Sequence, residues 1–403
     1  MVKHKPSLGL ISIAIPLIIF TLSSWVFSFN FSKSIYSIQE AIDAAKAGDK
    51  VIIEPGNYME CVVINKSIHL VGEGPNTVID GCGRGESLTI LSDGVVLESI
   101  TIRNSGGNYS GIYVNRASNV LIVNCVVTSC HVGIKIDFSN DVYISNCEIA
   151  NNTFAAIRVW GNSKNINVQN CTIHNNRFLG VGLLTYSQHN NVIANNVYNN
   201  SIGVALINSE GNQIVKNRIH DNRYGLYLED RLTKNNTVVR NWIFNNTHGV
   251  YLNIFSHEQT GNLFCFNNFI SNTIQAYIEP PFFPHNDWNL TYPLGGNYWS
   301  DHSAEDLKSG PYQNVTGSDG FADKPYYIAQ NNIDFYPLSS PYKEHVDHES
   351  KGSGFDVQIA VAIAVAIIIV VYSISYLVIK RRTVKTRNHR SGTLVYNVLS
   401  KGL

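Results

Sequence analysis

The middle of this chain carries a column of Asn or Cys residues that recurs at nearly constant spacing. Its seven members are separated by 22, 24, 24, 22, 24 and 27 residues. The column consists of Cys125, Cys147, Cys171, Asn195, Asn217, Asn241 and Asn268. A period of 22 to 24 residues without a helical pattern is typical of a solenoid, in which each repeat forms one coil and contacts only its neighbours.

Aliphatic residues form further columns with the same period. The residues two positions after each Asn or Cys are Val127, Ile149, Ile173, Val197, Ile219, Ile243 and Ile270. Each repeat also holds, after a Gly or Ala, two aliphatic residues that stand two positions apart, such as Ile134 and Ile136. Apolar residues at this spacing predict strands with one buried face, and turn residues separate the segments. Each repeat therefore holds about three short strands.

These columns predict an all-β fold, a single parallel β-helix of about nine or ten coils of 22–24 residues. Equivalent residues then stack about 4.8 Å apart, and an Asn at a sharp turn bonds its amide to the Asn above and below. Cys125, Cys147 and Cys171 begin the column. They fit either small apolar fillers or a soft-metal site for copper(I) or zinc.

Charge and cysteine content narrow the class of protein. The chain has 30 basic and 30 acidic residues, so its formal net charge is zero. A basic field that would attract nucleic acid is therefore not expected. The chain has seven cysteines, and Cys61 and Cys82 lie about one coil apart. These two could form a disulfide in an oxidising compartment, but the sequence does not decide it.

The two ends of the sequence predict that most of the chain lies outside the cytoplasm. Residues 1–33 are mostly apolar after two lysines and fit a signal peptide or signal anchor. Residues 357–379 are uncharged over a length sufficient for one membrane-spanning helix. The following tail, residues 380–403, is basic, which places it in the cytoplasm and the rest of the chain outside the cell membrane.

The repeats begin after a short predicted helix at residues 37–47, whose apolar face would cover the first coil. The stretch SIQEAIDAAKAGDKVIIEPGNY there resembles the start of pectate-lyase-like right-handed β-helix proteins. We expect the β-helix domain to span residues 34–284, with regular repeats over residues 111–279. Pro280, Pro281 and Pro284 then interrupt the pattern, because proline cannot donate to a central sheet.

The segment after the prolines is dense in Tyr, Asp, Gly and Pro. It reads GGNYWSDHSAEDLKSGPYQNVTGSDGFADKPYYIAQNNIDFYPLSSPY and, with the repeats, resembles the ending of NosD-like β-helix proteins. That family is a periplasmic copper-binding family, whose repeats are also grouped as carbohydrate-binding and sugar-hydrolysis domains. The resemblance implies a polysaccharide or copper as ligand. We expect residues 285–342 to cap the last coil, and residues 343–356 to form a polar spacer before the membrane span.

Acid and base chemistry on a polysaccharide needs two or three carboxylates, or a carboxylate with Lys, Arg or His, on one groove. Glu229 and Asp230 follow one predicted core strand, and Glu258 lies in the corresponding loop of the next coil. The alternative for these charges is a solvated rim. His174 and His220 share a column, but Tyr198 between them separates the two by about 10 Å, too far for one metal ion.

One acidic cluster has the spacing of cation ligands. Asp301, Asp306, Asp319 and Asp323 lie in the ending segment, and oxygen-rich loops of this kind suit Ca²⁺. The alternative is a turn in which Asp side chains accept hydrogen bonds from nearby backbone. Copper is disfavoured as a ligand, because the chain offers few His, Met or Cys residues on its predicted open face.

These patterns together favour binding over catalysis. We expect a membrane-anchored protein outside the cytoplasm that presents a long, stiff face to a glycan or a surface protein. One alternative is a polysaccharide lyase, epimerase or hydrolase of the pectate-lyase-like class. Another is a copper-handling accessory protein of the NosD type.

Overall fold

The computed structural model describes residues 37–255 and 260–343, which form a parallel β-solenoid of the right-handed type. Ten coils follow one another, and each contributes one strand to each of three parallel sheets, here called A, B and C. Tyr298–Trp299, which follow the last coil, add an eleventh strand to sheet B. The predicted all-β parallel β-helix is confirmed, and its coils agree in number with the predicted nine or ten. Within the described part, no helix has the length and apolar character needed to cross a membrane. The predicted span at residues 357–379 and the leader at residues 1–33 lie outside the described residues.

The strands of the three sheets follow one another in the order A, B, C along the chain. Sheet A comprises Lys50–Ile53, His69–Gly72, Val96–Glu98, Ser118–Val123, Asn140–Ser145, Asn167–Gln169, Asn191–Ile193, Gln213–Val215, Thr237–Val239 and Leu263–Cys265. Sheet B comprises Gly56–Tyr58, Thr77–Asp80, Thr101–Arg103, Val126–Thr128, Glu148–Ala150, Thr172–His174, Asn196–Tyr198, Arg218–His220, Trp242–Phe244, Asn268–Ile270 and Tyr298–Trp299. Sheet C comprises Val62–Ile64, Leu88–Ile90, Ser110–Asn115, Val132–Asp137, Ala155–Trp160, Leu179–Leu184, Ile202–Ile207, Tyr224–Glu229, His248–Asn253 and Ile274–Ile278.

The core is a set of aliphatic stacks inside the solenoid. In sheet C, Ile134 pairs in register with Ile157, and Ile157 pairs with Val181. All three are fully buried. Because side chains alternate between the two faces of a strand, every second residue points inward. Each fully buried aliphatic side chain stabilises the fold by about 1.5–3 kcal/mol.

One helix, Ile38–Ala44, covers the open end of the first coil. Ser37 caps it by accepting a hydrogen bond from the Glu40 N–H, and Ile38 and Ile42 are fully buried. Glu60 of the first coil accepts a hydrogen bond from the Ile38 N–H at 2.6 Å. The helix predicted at residues 37–47 therefore forms, and it ends three residues earlier than predicted.

The predicted Asn column forms a continuous hydrogen-bonded ladder at the turn between sheets A and B. The Asn217 Oδ1 accepts hydrogen bonds from both the backbone N–H and the side-chain amide of Asn195. The prediction was wrong at the last member, where Asn267 occupies the column and Asn268 lies on the outer side of sheet B, buried against Tyr342. Phe269, and not Ile270, correspondingly pairs with Ile243 inside the solenoid. Two adjacent Asn residues and an aromatic inner residue concealed this one-residue shift.

Two more Asn ladders run along the other turns and were not predicted. The ladder between sheets B and C comprises Asn152, Asn176, Asn200, Asn222, Asn246 and Asn272. The ladder between sheets C and A comprises Asn190, Asn212, Asn236, Asn262, Asn286 and Asn332. Buried turn backbone is thereby paired on all three corners.

The three cysteines of the first column are buried inside the solenoid. The Cys171 N–H donates to the Asn195 Oδ1 at 2.9 Å, so Cys171 adjoins the Asn ladder. The neighbouring Cys125 thiol raises the pKa of Cys147. All seven cysteines of the chain lie in its described part and are free thiols, including Cys61 and Cys82. This environment favours the interpretation of small apolar fillers.

The segment after the prolines packs over the last coil. Trp288 stacks on Phe264 and Trp299 stacks on Phe269, each pair with ring centroids 4.4 Å apart. The segment also contains two antiparallel strand pairs, Lys308–Ser309 with Val315–Thr316 and Tyr326–Ala329 with Asn332–Asp334.

The ladder between sheets A and B ends on Asp334 of this segment. The Asp334 carboxylate accepts from the Asn297 N–H at 2.7 Å and from the Trp299 indole N–H at 2.9 Å. Burial raises the pKa of Asp334 to about 7, although the Asn297, Trp299 and Tyr336 N–H donors favour its ionised form. The capping segment therefore continues the ladder of the repeats and closes their core.

Candidate functional site

The outer face of sheet C carries one row of residues whose chemistry changes along the solenoid. Each member stands between two inward-facing residues of its strand and therefore points outward. The row, called here the outer row, comprises Tyr113, Lys135, Arg158, Gly182, Ala205, Tyr227, Tyr251 and Tyr277. Seven coil spacings of about 4.8 Å give it a length of roughly 34 Å.

The aromatic end of the outer row is a stack of three half-buried tyrosines. The rings of Tyr227 and Tyr251 lie 5.6 Å apart and are nearly parallel, at 7°. Tyr251 and Tyr277 follow at 5.3 Å. Burial and the neighbouring Glu279, which accepts a hydrogen bond from the Tyr251 hydroxyl, raise the pKa of Tyr251. The rings therefore face one another along the solenoid and present their edges and hydroxyls at its surface.

A parallel pair of rings widens this aromatic surface. Tyr224 and His248 pair in register on the same face of sheet C, with ring centroids 5.2 Å apart. Tyr224 also contacts Tyr227 and Tyr251 edge-on, at 5.6 and 5.0 Å. Burial, with a smaller contribution from Arg223, lowers the pKa of His248. The aromatic surface is therefore two residues wide and spans three coils.

The polar end of the outer row is organised around a buried carboxylate. Asp137 is only 5% exposed and lies 3.4 Å from the Lys135 ammonium and 3.6 Å from the Arg158 guanidinium. The Lys135 ammonium also lies 4.2 Å above the centre of the Tyr113 ring, a cation–π contact. Burial and the Asp137 charge raise the pKa of Tyr113 to about 12. Charges of both signs thus converge on one tyrosine.

A second carboxylate, Glu86, adjoins this group from the preceding coil. It accepts a hydrogen bond from the Ser110 N–H, and burial raises its pKa. Within the described residues, Asp137 Oδ1 and Arg158 Nε are buried without a hydrogen-bond partner. Incomplete pairing of buried polar atoms is unusual in a purely structural network. The group combines potential proton donors, proton acceptors and cations, which is what acid–base chemistry requires.

Small side chains separate the two ends of the row. Gly182 and Ala205 are buried, and Leu184 and Ile207 pair in register beside them and pack against the cluster that contains Ala205. The same face therefore has a polar end, a covered apolar middle and an aromatic end along one line.

The predicted carboxylates Glu229 and Asp230 lie near the aromatic end of this face and not at its polar end. Glu229 is two residues after Tyr227 on the same strand and pairs with Ile207 and Asn253. Asp230 follows the strand and accepts a hydrogen bond from the Asn208 side chain at 3.0 Å. Glu258 lies outside the described residues.

Sequence reasoning missed five residues of the polar end. They are Glu86, Tyr113, Lys135, Asp137 and Arg158. The signal was present, because Tyr113, Lys135 and Arg158 each lie between the two aliphatic residues of a sheet C strand. The repeating aliphatics identified the strands, and the non-repeating residue between them identifies the outer face.

The four carboxylates predicted for calcium are each held in hydrogen bonds within the capping segment. Asp306 accepts from the Asp319 and Gly320 N–H groups at 3.0 and 2.9 Å. Asp323 accepts from the Leu307 and Lys308 N–H groups at 3.0 and 2.9 Å. Asp319 accepts from Gly310, and Asp301 from the Tyr326 hydroxyl.

This arrangement matches the alternative in which the Asp side chains stabilise turns. The hydrogen bonds from Ser318 and from backbone N–H groups hold the pKa of Asp306 below its usual value, against the effect of burial. In residues 37–255 and 260–343, no three His, Cys, Asp or Glu side chains are grouped as a metal site.

The histidines of the predicted column stack on an aromatic ring and do not converge on one point. Tyr198 lies between His174 and His220, with ring centroids 5.0 and 5.1 Å away. Glu148 lies 3.4 Å from His174, and Asp221 lies 2.6 Å from His220. The wide separation predicted for these two histidines is confirmed, and the donor set does not fit copper.

Comparison with known proteins identifies a family to which this chain is similar. Residues 76–304, more than half of the chain, match the family model described as periplasmic copper-binding protein (NosD). A cell surface glycoprotein of Methanothermus fervidus is 31% identical over 107 residues, which cover 26% of this chain. The chain spans 18% of that relative's length.

The fold is similar to that of a solved structure at low sequence identity. Pectate lyase Pel9A is 15% identical with a TM-score of 0.53, and the match covers 79% of this chain and 88% of the lyase. The periplasmic alginate epimerase AlgG is 16% identical with a TM-score of 0.45, covering 61% of this chain and 80% of the epimerase.

Proposed function

The chain belongs to the NosD family, and from this premise we propose that it is an extracytoplasmic protein that binds a glycan along the outer row of sheet C. The observation that carries the proposal is the stack of Tyr227, Tyr251 and Tyr277. The exposed edges of these rings offer apolar surface to the C–H groups of a sugar, and the tyrosine hydroxyls can form hydrogen bonds with its hydroxyl groups.

The shape of the face favours an extended polymer. The outer row is straight because parallel strands stack in register, and its rings repeat once per coil. A flexible chain that lies along such a row makes the same contact several times, which raises its affinity without new kinds of contact. A compact protein partner would need a wider complementary surface.

The cellular position is part of the proposal. The family description is periplasmic, and the Methanothermus fervidus relative is described as a cell surface glycoprotein. Residues 357–379 would then anchor the chain in the cell membrane, with the β-helix outside and the basic tail at residues 380–403 in the cytoplasm. A protein so anchored would hold a cell-surface or matrix polysaccharide close to the membrane.

A second candidate function is catalysis on the bound glycan. The observation that favours it is the polar end of the outer row, where Tyr113, Lys135, Asp137 and Arg158 meet. A glycan held on the aromatic end would extend over the small residues towards these groups. Glu229 and Asp230 are the further candidates, since Glu229 lies on the same face.

Copper handling is not proposed, because the donor set does not fit the metal. The sulfurs of Cys125, Cys147 and Cys171 are buried inside the solenoid, whereas a metal must be reached by an entry path. The thiol of Cys147 and, to a smaller extent, burial raise the pKa of Cys171. The raised pKa opposes formation of the thiolate that would bind a metal.

A screen of the full chain against soluble polysaccharides tests the proposal. Neutral xylan, mannan and dextran and acidic polygalacturonate and alginate are offered in calcium and in EDTA, and both binding and released products are measured. Binding without product supports the glycan-binding function. Product formation that Lys135→Ala abolishes supports the second candidate, and an absence of binding throughout the panel contradicts both. A calcium requirement would return attention to Asp301, Asp306, Asp319 and Asp323.

A further inference from the structure

A second surface, at the turns between sheets A and B, has the chemistry of an anion site. It is a cleft of about 330 Å³ lined by Lys216, Arg240, Trp242, Tyr342 and Lys343. Three of these residues are cations, two are aromatic and none is acidic. The cleft lies at a different corner of the solenoid from the outer row of sheet C.

The two solenoid cations occupy a backbone position that does not suit them. Lys216 and Arg240 precede the ladder residues Asn217 and Asn241 and adopt left-handed backbone, with φ of 57° and 59°. In the three coils that carry cysteines, the corresponding residues are Asn124, Asn146 and Asn170, each directly before its cysteine and also with positive φ. Asn tolerates this conformation, and long side chains adopt it at a conformational cost. Positive φ recurs at this turn in coil after coil, so the conformation belongs to the turn, and the long cationic side chains are what is particular to the cleft.

The far wall of the cleft is supplied by the capping segment. Asn268 accepts a hydrogen bond from the Tyr342 N–H at 2.7 Å and donates its amide to the Tyr342 carbonyl at 3.0 Å. The Tyr342 ring packs on Phe266, with centroids 5.2 Å apart, and the Arg240 guanidinium lies 5.6 Å from its centre. Two segments distant in sequence are therefore fixed to each other on either side of the cleft.

The polar atoms of the cleft favour an anion. The Arg240 Nε is buried and finds no hydrogen-bond partner in residues 37–255 and 260–343. A guanidinium and two ammonium groups match the oxygens of a carboxylate or sulfate. Trp242, half-buried on the outer face of sheet B, adds a flat apolar surface beside them. Trp242 thus suits a sugar ring, and the surrounding cations suit the charged substituent of that sugar.

We propose that this cleft binds the acidic group of an anionic sugar, with the sugar ring on Trp242 and its carboxylate or sulfate between Lys216, Arg240 and Lys343. The site is separate from the glycan-binding face proposed above and does not depend on it. Through this cleft, a chain that binds neutral sugars on sheet C would gain a second contact for charged sugars.

The test measures binding of polygalacturonate, dextran sulfate and uncharged dextran to the full chain at low and physiological salt. Arg240→Gln and Lys216→Gln are compared with Arg231→Gln and Lys164→Gln, which remove the same charges from exposed positions outside the cleft. We expect each cleft variant to lose at least tenfold in affinity for one or both acidic polymers, a loss that grows as salt is lowered.

The two acidic polymers distinguish the sources of the anion, since a carboxylate site prefers polygalacturonate and a sulfate site prefers dextran sulfate. Trp242→Ala should weaken the same polymer, and Tyr251→Ala on sheet C should leave the charge-dependent difference intact. Equal losses in cleft and control variants would overturn the proposal, as would acidic polymers that bind no more tightly than dextran. Unchanged circular dichroism and melting temperature establish that each variant is folded.

Discussion

Two columns run along the same coils of this solenoid and differ in how far they repeat. The ladder Asn195, Asn217, Asn241, Asn267 and Asn297 uses one side chain at each coil. The outer row of sheet C changes from polar to small to aromatic over a similar length. Each ladder amide must bond both neighbours, so few residues satisfy the position. An outer-row side chain leaves the strand pairing unaffected, so this row is free to carry binding chemistry.

The largest effect on stability is expected inside the ladder, at Asn217→Ala. Its amide donates to the Val192 carbonyl at 2.8 Å and to Asn241 at 3.0 Å, and its oxygen accepts both donors of Asn195. Buried groups left without partners cost about 1–3 kcal/mol each. We expect a loss of about 3–5 kcal/mol in the free energy of unfolding, measured by urea denaturation.

The matched control is Cys171→Asn in the same column. Asn at this position would extend the ladder by one coil, so we expect a change within about 1 kcal/mol of wild type. A loss as large as that of Asn217→Ala would show that the column distinguishes Cys from Asn by more than size and hydrogen bonding. The claim that repetition marks a structural requirement would then be wrong for the cysteine coils.

The next effect concerns the point where the ladder enters the capping segment. The folded pKa of Asp334 is about 7, above the unfolded value of about 3.9. The native state therefore retains a proton that the unfolded chain releases between these values. Stability from this group is complete below about pH 4 and is lost as pH rises through about 7, by roughly 2–4 kcal/mol.

Asp334→Asn isolates this contribution, because its neutral amide does not titrate. Thermal melts between pH 4 and 8 should show wild type losing stability relative to Asp334→Asn as pH rises. Parallel pH profiles for the two chains would mean that Asp334 is ionised throughout, and that the Asn297 and Trp299 N–H donors outweigh its burial.

The sequence predicted the solenoid well because its interior repeats. Inward aliphatics such as Val168, Val192 and Ile214 recur with the coil, so strand number and inner face follow from spacing alone. The error at Asn268 arose where the repeat lengthens and two Asn residues are adjacent. Spacing does not show which of the two faces inward, whereas the inner ring of Phe269 decides it.

The candidate site was harder to predict, because its residues do not repeat from coil to coil. Asp137 meets Lys135 on its own strand and Arg158 from the next coil, and no contiguous motif records such a meeting. The partners of Asp334 are likewise 35 and 37 residues away in sequence. A column whose residue type changes from coil to coil carries no periodic signal. Its members can be recognised only once the register of the coils is known.

The measurement that tests the account most directly compares Tyr251→Ala with Tyr143→Ala. Tyr143 lies on the outer face of sheet A and is 46% exposed, so it controls for loss of an outward tyrosine. Both full-length variants are assayed against every polysaccharide that wild type binds, and their unfolding free energies should lie within about 1–2 kcal/mol of wild type. We predict that Tyr251→Ala weakens glycan binding at least tenfold and that Tyr143→Ala does not. Equal affinity for the two variants would contradict the assignment of glycan binding to the outer row of sheet C.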